Sequence, residues 1–351
     1  MTKKKILLRQ NIIKKIFEDF SSKEKIYKPS VFWENVSTIL YKFFHKYGIK
    51  NFKRNFVINN FFVATYNLKK ENNIFKVLNI IKKIKINKKL FFSLKDLIGG
   101  KFQAFSDYRV FKAADIENKI PILNDFTETD IGNPVEQFHF EKKKFSRSSL
   151  NYLLGLVFLK RNTEKFIPKV TLEIGGGYGC LGEILGFSRI KNFKYINVDL
   201  PTQAYVTEMY LCKRFGAQKI TSYIETRKMN IINIKRLKNF TSLISWQIER
   251  LRGKIDLFVN FISFQEMEPH IVKNYLNIVS RLKPNYILLR NLREGKNLKK
   301  NKDIGVEKAI KSRDYVNFLK KSYSIINRNV IPFGFRTYDN FNSELMLFKR
   351  T

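Results

Sequence analysis

Leu172-Glu173-Ile174-Gly175-Gly176-Gly177-Tyr178-Gly179 is the stretch whose reading decides the fold of this chain. It closes Lys169–Ile174, a short β-branched and apolar run that predicts a strand, and it opens a helical pattern from Tyr178 to Gly186. A chain turning from the carboxyl end of a strand into a helix needs residues without Cβ. The backbone takes unusual angles there, and a ligand must come close to the main chain. Glycines alone occur in the turns of any α/β protein. Glu173 is more informative, because a carboxylate ending an apolar strand is costly to bury without a partner, and a cationic ligand would supply one.

Outward from this loop the alternation continues. Tyr195–Val198, Lys219–Ile224, Ile255–Phe261 and Tyr286–Leu289 read as strands, and Thr202–Phe215, Ile234–Leu251 and Ile271–Leu282 read as helices between them. That rhythm predicts crossovers and a parallel sheet covered on both faces. After a helix near Val306–Ser322, the runs Ser324–Ile331 and Ser343–Lys349 are joined by a polar loop too short for a crossover helix. They predict a hairpin, so the last strand should enter the sheet antiparallel. Residues 168–351 are therefore expected to form the ligand-binding domain.

The first 100 residues differ. They carry 23 basic and 6 acidic side chains, whereas residues 101–150 carry 8 of each. Ile13–Phe20, Val36–Tyr47 and Phe75–Ile86 space their apolar residues three and four apart, which predicts amphipathic helices in a mainly helical N-terminal region. Residues 101–167, with Gly99-Gly100 just before them and Gly132-Asn133-Pro134 inside them, read as an irregular connecting segment on the substrate side.

Two ligands suit the loop. Gly177-Tyr178-Gly179-Cys180-Leu181-Gly182 matches the dinucleotide fingerprint, which leaves an NAD-dependent sugar-nucleotide oxidoreductase as an alternative. Asp199, at the end of the second strand, would hold ribose hydroxyls under either reading. Glu173 and Gly175 extend the motif beyond what a dinucleotide requires, and no Tyr-x-x-x-Lys pair follows it. A parallel sheet closed by an antiparallel hairpin is also the Rossmann-like sheet of class I methyltransferases. S-adenosyl-L-methionine, with its sulfonium and ammonium groups, is the expected cofactor, bound by Glu173, Gly175, Gly177, Tyr178, Gly179, Asp199 and Asn260.

Glu173–Gly179, Val198-Asp199-Leu200-Pro201 and Asn260-Phe261-Ile262-Ser263-Phe264-Gln265-Glu266-Met267, taken as an ordered set, resemble the bacterial sugar O-methyltransferases. Ile131-Gly132-Asn133-Pro134 is similar to a segment preceding the cofactor domain in that family, and the resemblance covers roughly residues 125–295. Where that family often has a further glycine, this chain has Cys180. The resemblance implies methyl transfer to a sugar hydroxyl during surface-glycan biosynthesis, on a nucleotide-linked or lipid-linked acceptor.

Ligands of an open α/β sheet sit beyond the carboxyl ends of its strands, so the loop after Ile255–Phe261 should pass the transferable methyl. Glu266 is the first candidate for the catalytic base and His270 the second; Ser263, Gln265 and Asn133 are candidates for holding substrate. No His, Asp or Glu grouping has metal-ligand spacing. The two cysteines, Cys180 and Cys212, form neither a ligand pair nor a disulfide framework, which suggests reduced cytoplasmic thiols. No uncharged apolar stretch reaches the roughly 18 residues that a membrane span needs.

The net charge of +37 draws polyanions and anionic lipid heads. Heavy use of Lys, Asn, Ile and Phe together is equally what an A/T-rich genome produces. RNA or another nucleic acid is the alternative acceptor, although no Asn/Asp-Pro-Pro-aromatic segment follows the fourth strand. Peripheral docking on an anionic membrane surface is the other partner expectation for the basic helices.

Overall fold

The computed structural model describes residues 3–30, 32–66, 96–97, 99–299, 305–337 and 339–351. The expected helix Phe75–Ile86 lies outside them.

A hairpin of β1 (Phe138–Phe140) and β2 (Lys143–Phe145) precedes the main sheet. The sheet's parallel part contains β3 (Val170–Ile174), β4 (Lys194–Asp199), β5 (Ile220–Thr221), β7 (Phe240–Ile244), β9 (Leu257–Phe261) and β10 (Tyr286–Leu292). A small parallel pair, β6 (Ile232–Asn233) and β8 (Leu251–Arg252), lies outside it. The chain ends with β11 (Tyr323–Asn329), β12 (Phe335–Arg336) and β13 (Asn342–Arg350). The strand order is β11-β13-β10-β9-β3-β4-β7-β5, with β13 antiparallel to both its neighbours. That is a mostly parallel, Rossmann-like sheet, and the terminal hairpin forms as its spacing predicts.

The helices in chain order are α1 (Lys3–Ser21), α2 (Glu34–Tyr47), α3 (Phe56–Phe62), α4 (Lys101–Ala114), α5 (Arg147–Arg161), α6 (Cys180–Phe187), α7 (Pro201–Phe215), α8 (Tyr223–Thr226), α9 (Pro269–Arg281) and α10 (Ser312–Leu319). Three expectations are corrected. The stretch Ile234–Leu251 is not a helix. It holds short 3₁₀ turns around β7, a strand buried at every position. Ile234, Leu237, Phe240, Leu243 and Ile248 mimic helical spacing. A strand buried on both faces has no alternation to betray it, and pairing with β4 decides the outcome. Residues 101–167 are irregular only in part: residues 115–137 hold no helix or strand, but α4, the β1–β2 hairpin and α5 flank them. Helix α5 is capped by Ser146, whose Oγ accepts from Ser149 N, and it is buried from Ser148 to Lys160. A helix enclosed on all sides needs no polar face, so the amphipathic signal is missing. Finally, the last helix begins at Ser312, while Val306 forms a bridge with Leu298.

The N-terminal helices and the sheet share one apolar core, in which Ile13, Leu40, Phe44 and Phe52 join the residues covering the strands. Polar ties reinforce the junction. Arg227 pairs with Asp19 through two hydrogen bonds of 2.7 Å, and Ser245 Oγ donates to Tyr27 O at 2.7 Å. This packing carries the segment around Lys28–Trp33 and the end of α3 across the carboxyl ends of the strands.

Candidate functional site

A cavity of about 340 Å³ opens at the carboxyl ends of β3, β4 and β9. Its floor is the glycine loop. Gly175 has φ +76°, and a Cβ there would stand 2.0 Å from Ser263 Oγ. Gly177 has φ +62° with nothing within 4 Å of its missing side chain, so its main chain faces open space. The first glycine lets two loops touch, and the other leaves room for a ligand against the backbone. The loop is held by Gly175 N donating to Val198 O (2.9 Å), Gly176 N to Asn197 Oδ1 (3.1 Å) and Thr207 Oγ1 to Gly177 O (2.7 Å).

Asp199 lines the cavity at the end of β4. One carboxylate oxygen accepts from Gly177 N at 3.0 Å and the other from Leu200 N at 2.8 Å. Burial pushes this carboxyl up to about 7, opposed by those two backbone donors. The backbone bonds fix its orientation, and each oxygen keeps a lone pair that could take a ligand hydroxyl.

Glu173 is fully buried behind the loop and is absent from the cavity lining. Tyr152 OH donates to its Oε1 at 2.6 Å, and Tyr195 OH donates to its Oε2. Burial raises this carboxyl to about 7, against the pull of the two phenols. The partner that the sequence required is therefore present within the protein, as two phenols.

The structure separates the remaining sequence-derived residues. Gly175, Gly177, Tyr178, Asp199, Ser263 and Glu266 line the cavity together. Gly179 stands behind it as the left-handed cap of α6. Asn260 is buried in the wall, donating to Ile174 O and accepting from Phe264 N and Asn291 Nδ2, and so ties β3, β9 and β10 together. Gln265 is likewise committed inward, accepting from Leu292 N at 2.8 Å. His270 is exposed on the first turn of α9, and Asn133 is exposed beside Asn51. Neither reaches the cavity.

Glu266 faces the cavity with both oxygens engaged. Lys296 Nζ lies 2.7 Å from Oε1, and Trp33 Nε1 donates to Oε2 at 3.1 Å. Ser30 Oγ donates to its carbonyl at 2.7 Å, and Glu268 stands at the N-cap position of α9. Ile262, in the same loop, has φ +70°, an outlier for a β-branched side chain, and it also lines the cavity. Backbone strain of this kind concentrates where a loop is held in place for function.

Sequence reasoning did not find the roof. Lys28, Ser30, Phe32, Trp33, Asn60 and Phe61 come from the N-terminal region. Their only sequence signal is weak, Trp33 being one of two tryptophans in a chain of 351 residues. The back of Tyr178 was equally hidden. Lys53 Nζ sits 4.0 Å over its ring and pairs with Glu128 at 2.9 Å, all three groups being buried. Among the described residues no group of three or more His, Cys, Asp or Glu side chains could hold a metal ion.

No family model matches the chain, and no curated protein matches it. Solved structures do. A SAM-dependent methyltransferase from Aquifex aeolicus is 14% identical, covering 58% of this chain and 93% of its own, with a TM-score of 0.38. A S-adenosylmethionine-dependent methyltransferase from Clostridium acetobutylicum is 14% identical over 58% of this chain and 92% of its own, with a TM-score of 0.38. Magnesium protoporphyrin IX methyltransferase from Synechocystis, with bound SAH, is 11% identical over 58% of this chain and 84% of its own, with a TM-score of 0.39. The strand order gives a mostly parallel, Rossmann-like sheet, with its last strand antiparallel between its two neighbours.

Proposed function

We propose that this chain is an S-adenosyl-L-methionine-dependent methyltransferase acting on a sugar hydroxyl, on a nucleotide-linked or lipid-linked acceptor in glycan biosynthesis. The supporting observation is one cavity in which the open main chain at Gly177 and the carboxylate of Asp199 face polar and aromatic groups. When bound, the donor supplies an electrophilic methyl on its sulfonium. On this reading Gly177 gives the donor backbone contact, Asp199 accepts from its ribose hydroxyls, and Tyr178 closes one wall. Phe61 and Trp33 offer flat apolar faces to a sugar ring, while Ser263 and Asn151 offer hydrogen bonds to its hydroxyls.

Methyl transfer to a hydroxyl requires alignment and removal of its proton. Alignment supplies much of the rate, and a positioned base contributes roughly 10²–10⁴-fold. Glu266 is the carboxylate for that proton, with Trp33 and Lys296 as its positioning residues. His270, the second candidate, would need α9 to shift, because it is exposed and outside the cavity.

The test is calorimetry with S-adenosyl-L-methionine and with reduced nicotinamide dinucleotide, followed by labelled donor with a panel of nucleotide sugars, glycolipid extracts and RNA. Donor binding with label in a sugar fraction is expected. Binding of the dinucleotide alone, or label entering only RNA, would replace this reading with the corresponding alternative.

A further inference from the structure

Residues 35–66 contain no Asp or Glu, although they carry Lys42, Lys46, Lys50, Lys53 and Arg54. Lys53 is buried against Glu128, and the other four are exposed, with no acidic partner among the described residues. Large apolar side chains stand among them in solvent: Tyr47 is 56% exposed, Phe56 67% and Val57 49%. Lone exposed apolar residues are ordinary, but several within one acid-free, cationic stretch give that stretch a definite chemistry. Cationic heads around apolar side chains fit the boundary between anionic headgroups and acyl chains.

The patch also has a definite place. Helix α3 exposes Phe56 and Val57 on its first turn, buries Ile58 and Phe62 in the core, and contributes Asn60 and Phe61 to the cavity lining. Val57 and Phe61 are four positions apart, about 6 Å along a helix axis. The apolar surface and the cavity wall are thus two ends of one short helix. We propose that Tyr47, Phe56 and Val57, framed by Lys46, Lys50 and Arg54, dock this chain on an anionic lipid surface beside the mouth of the cavity. The use of that docking, delivery of a lipid-linked glycan, rests on the proposed methyl transfer; the docking itself does not. A single-stranded nucleic acid would also meet the charge, but aliphatic Val57 offers it no stacking face, whereas an acyl boundary accepts it.

The test uses the full chain and sedimentation with vesicles of phosphatidylcholine alone or mixed with phosphatidylglycerol. The wild-type protein should sediment with the mixed vesicles and stay in solution with the neutral ones. The double variant Phe56→Ser/Val57→Ser keeps the net charge and should weaken that binding at least about tenfold. Lys46→Glu/Lys50→Glu/Arg54→Glu should abolish it at moderate salt. Unaltered vesicle binding in both variants, or equal binding to neutral vesicles, would overturn the proposal. So would loss of single-stranded RNA binding in these variants while vesicle binding persists. Donor affinity, measured by calorimetry on the same variants, should stay at the wild-type value, so a failure of docking and a failure of methyl-donor binding read out separately.

Discussion

The floor and the roof of the cavity are built on opposite principles. The floor, from Ile174 to Tyr178 with Asp199, is local: contiguous glycines leave one strand, and a carboxylate ends the next. The roof, from Lys28, Ser30, Phe32 and Trp33 and from Asn60 to Ala64, lies more than a hundred residues away in sequence and reaches the site only because α1, α2 and α3 share one apolar core with the residues covering the strands. A nucleotide-type donor can be held by backbone and one carboxylate, which a short motif encodes. An acceptor must be shaped by side chains gathered from across the fold. Substitutions in the floor should therefore act on donor affinity, and those in the roof on acceptor use.

The sharpest break of that contrast is Gly177→Val. Its Cβ meets no protein atom within 4 Å, but the side chain fills the open space and strains a left-handed backbone, so donor affinity is expected to fall by about a hundredfold while folding is retained, as calorimetry and circular dichroism would show. Next is Asp199→Ala, for which a loss of donor affinity on the order of tenfold to a hundredfold is expected, about 1–3 kcal/mol for charge-assisted hydrogen bonds. Unaltered affinity would remove Asp199 from the donor site. Glu266→Gln sharpens the comparison from the other side. Turnover on the acceptor should drop by at least about tenfold with donor affinity near normal, and steady-state kinetics with unchanged turnover would remove Glu266 from the chemistry. A smaller effect is expected for Trp33→Phe, which keeps the aromatic face and loses the donor to Glu266; a rise of about threefold in acceptor KM would register it.

The buried carboxyls give a pH signature of the floor. Asp199 and Glu173 are both raised to about 7 by burial, so folding favours their protonated forms. The stability they confer is fully present below the ordinary carboxylate range and is lost as pH rises through about 7. Thermal unfolding of the ligand-free protein should thus shift to lower temperature between pH 5 and pH 8, and Glu173→Gln should flatten that fall. Donor affinity should move the opposite way, rising over the same interval, because ribose hydroxyls bond best to the ionised carboxylate of Asp199.

By itself the sequence determined the α/β class, the strand that ends in the glycine loop, the antiparallel closing hairpin and the carboxylate at the second strand end. Each is a local pattern of apolar period, glycine or charge, and local patterns survive without knowledge of neighbours. Only the tertiary structure decided that Phe240–Ile244 is a strand and Arg147–Arg161 a helix, because burial on every side erases the periodicity that would distinguish them. It also decided that Glu173 is met by Tyr152 and Tyr195, that Glu266 is held by Lys296 and Trp33, and that His270 and Asn133 stand outside the cavity. Those outcomes depend on contacts between residues up to 233 positions apart, and no short stretch of chain contains both partners.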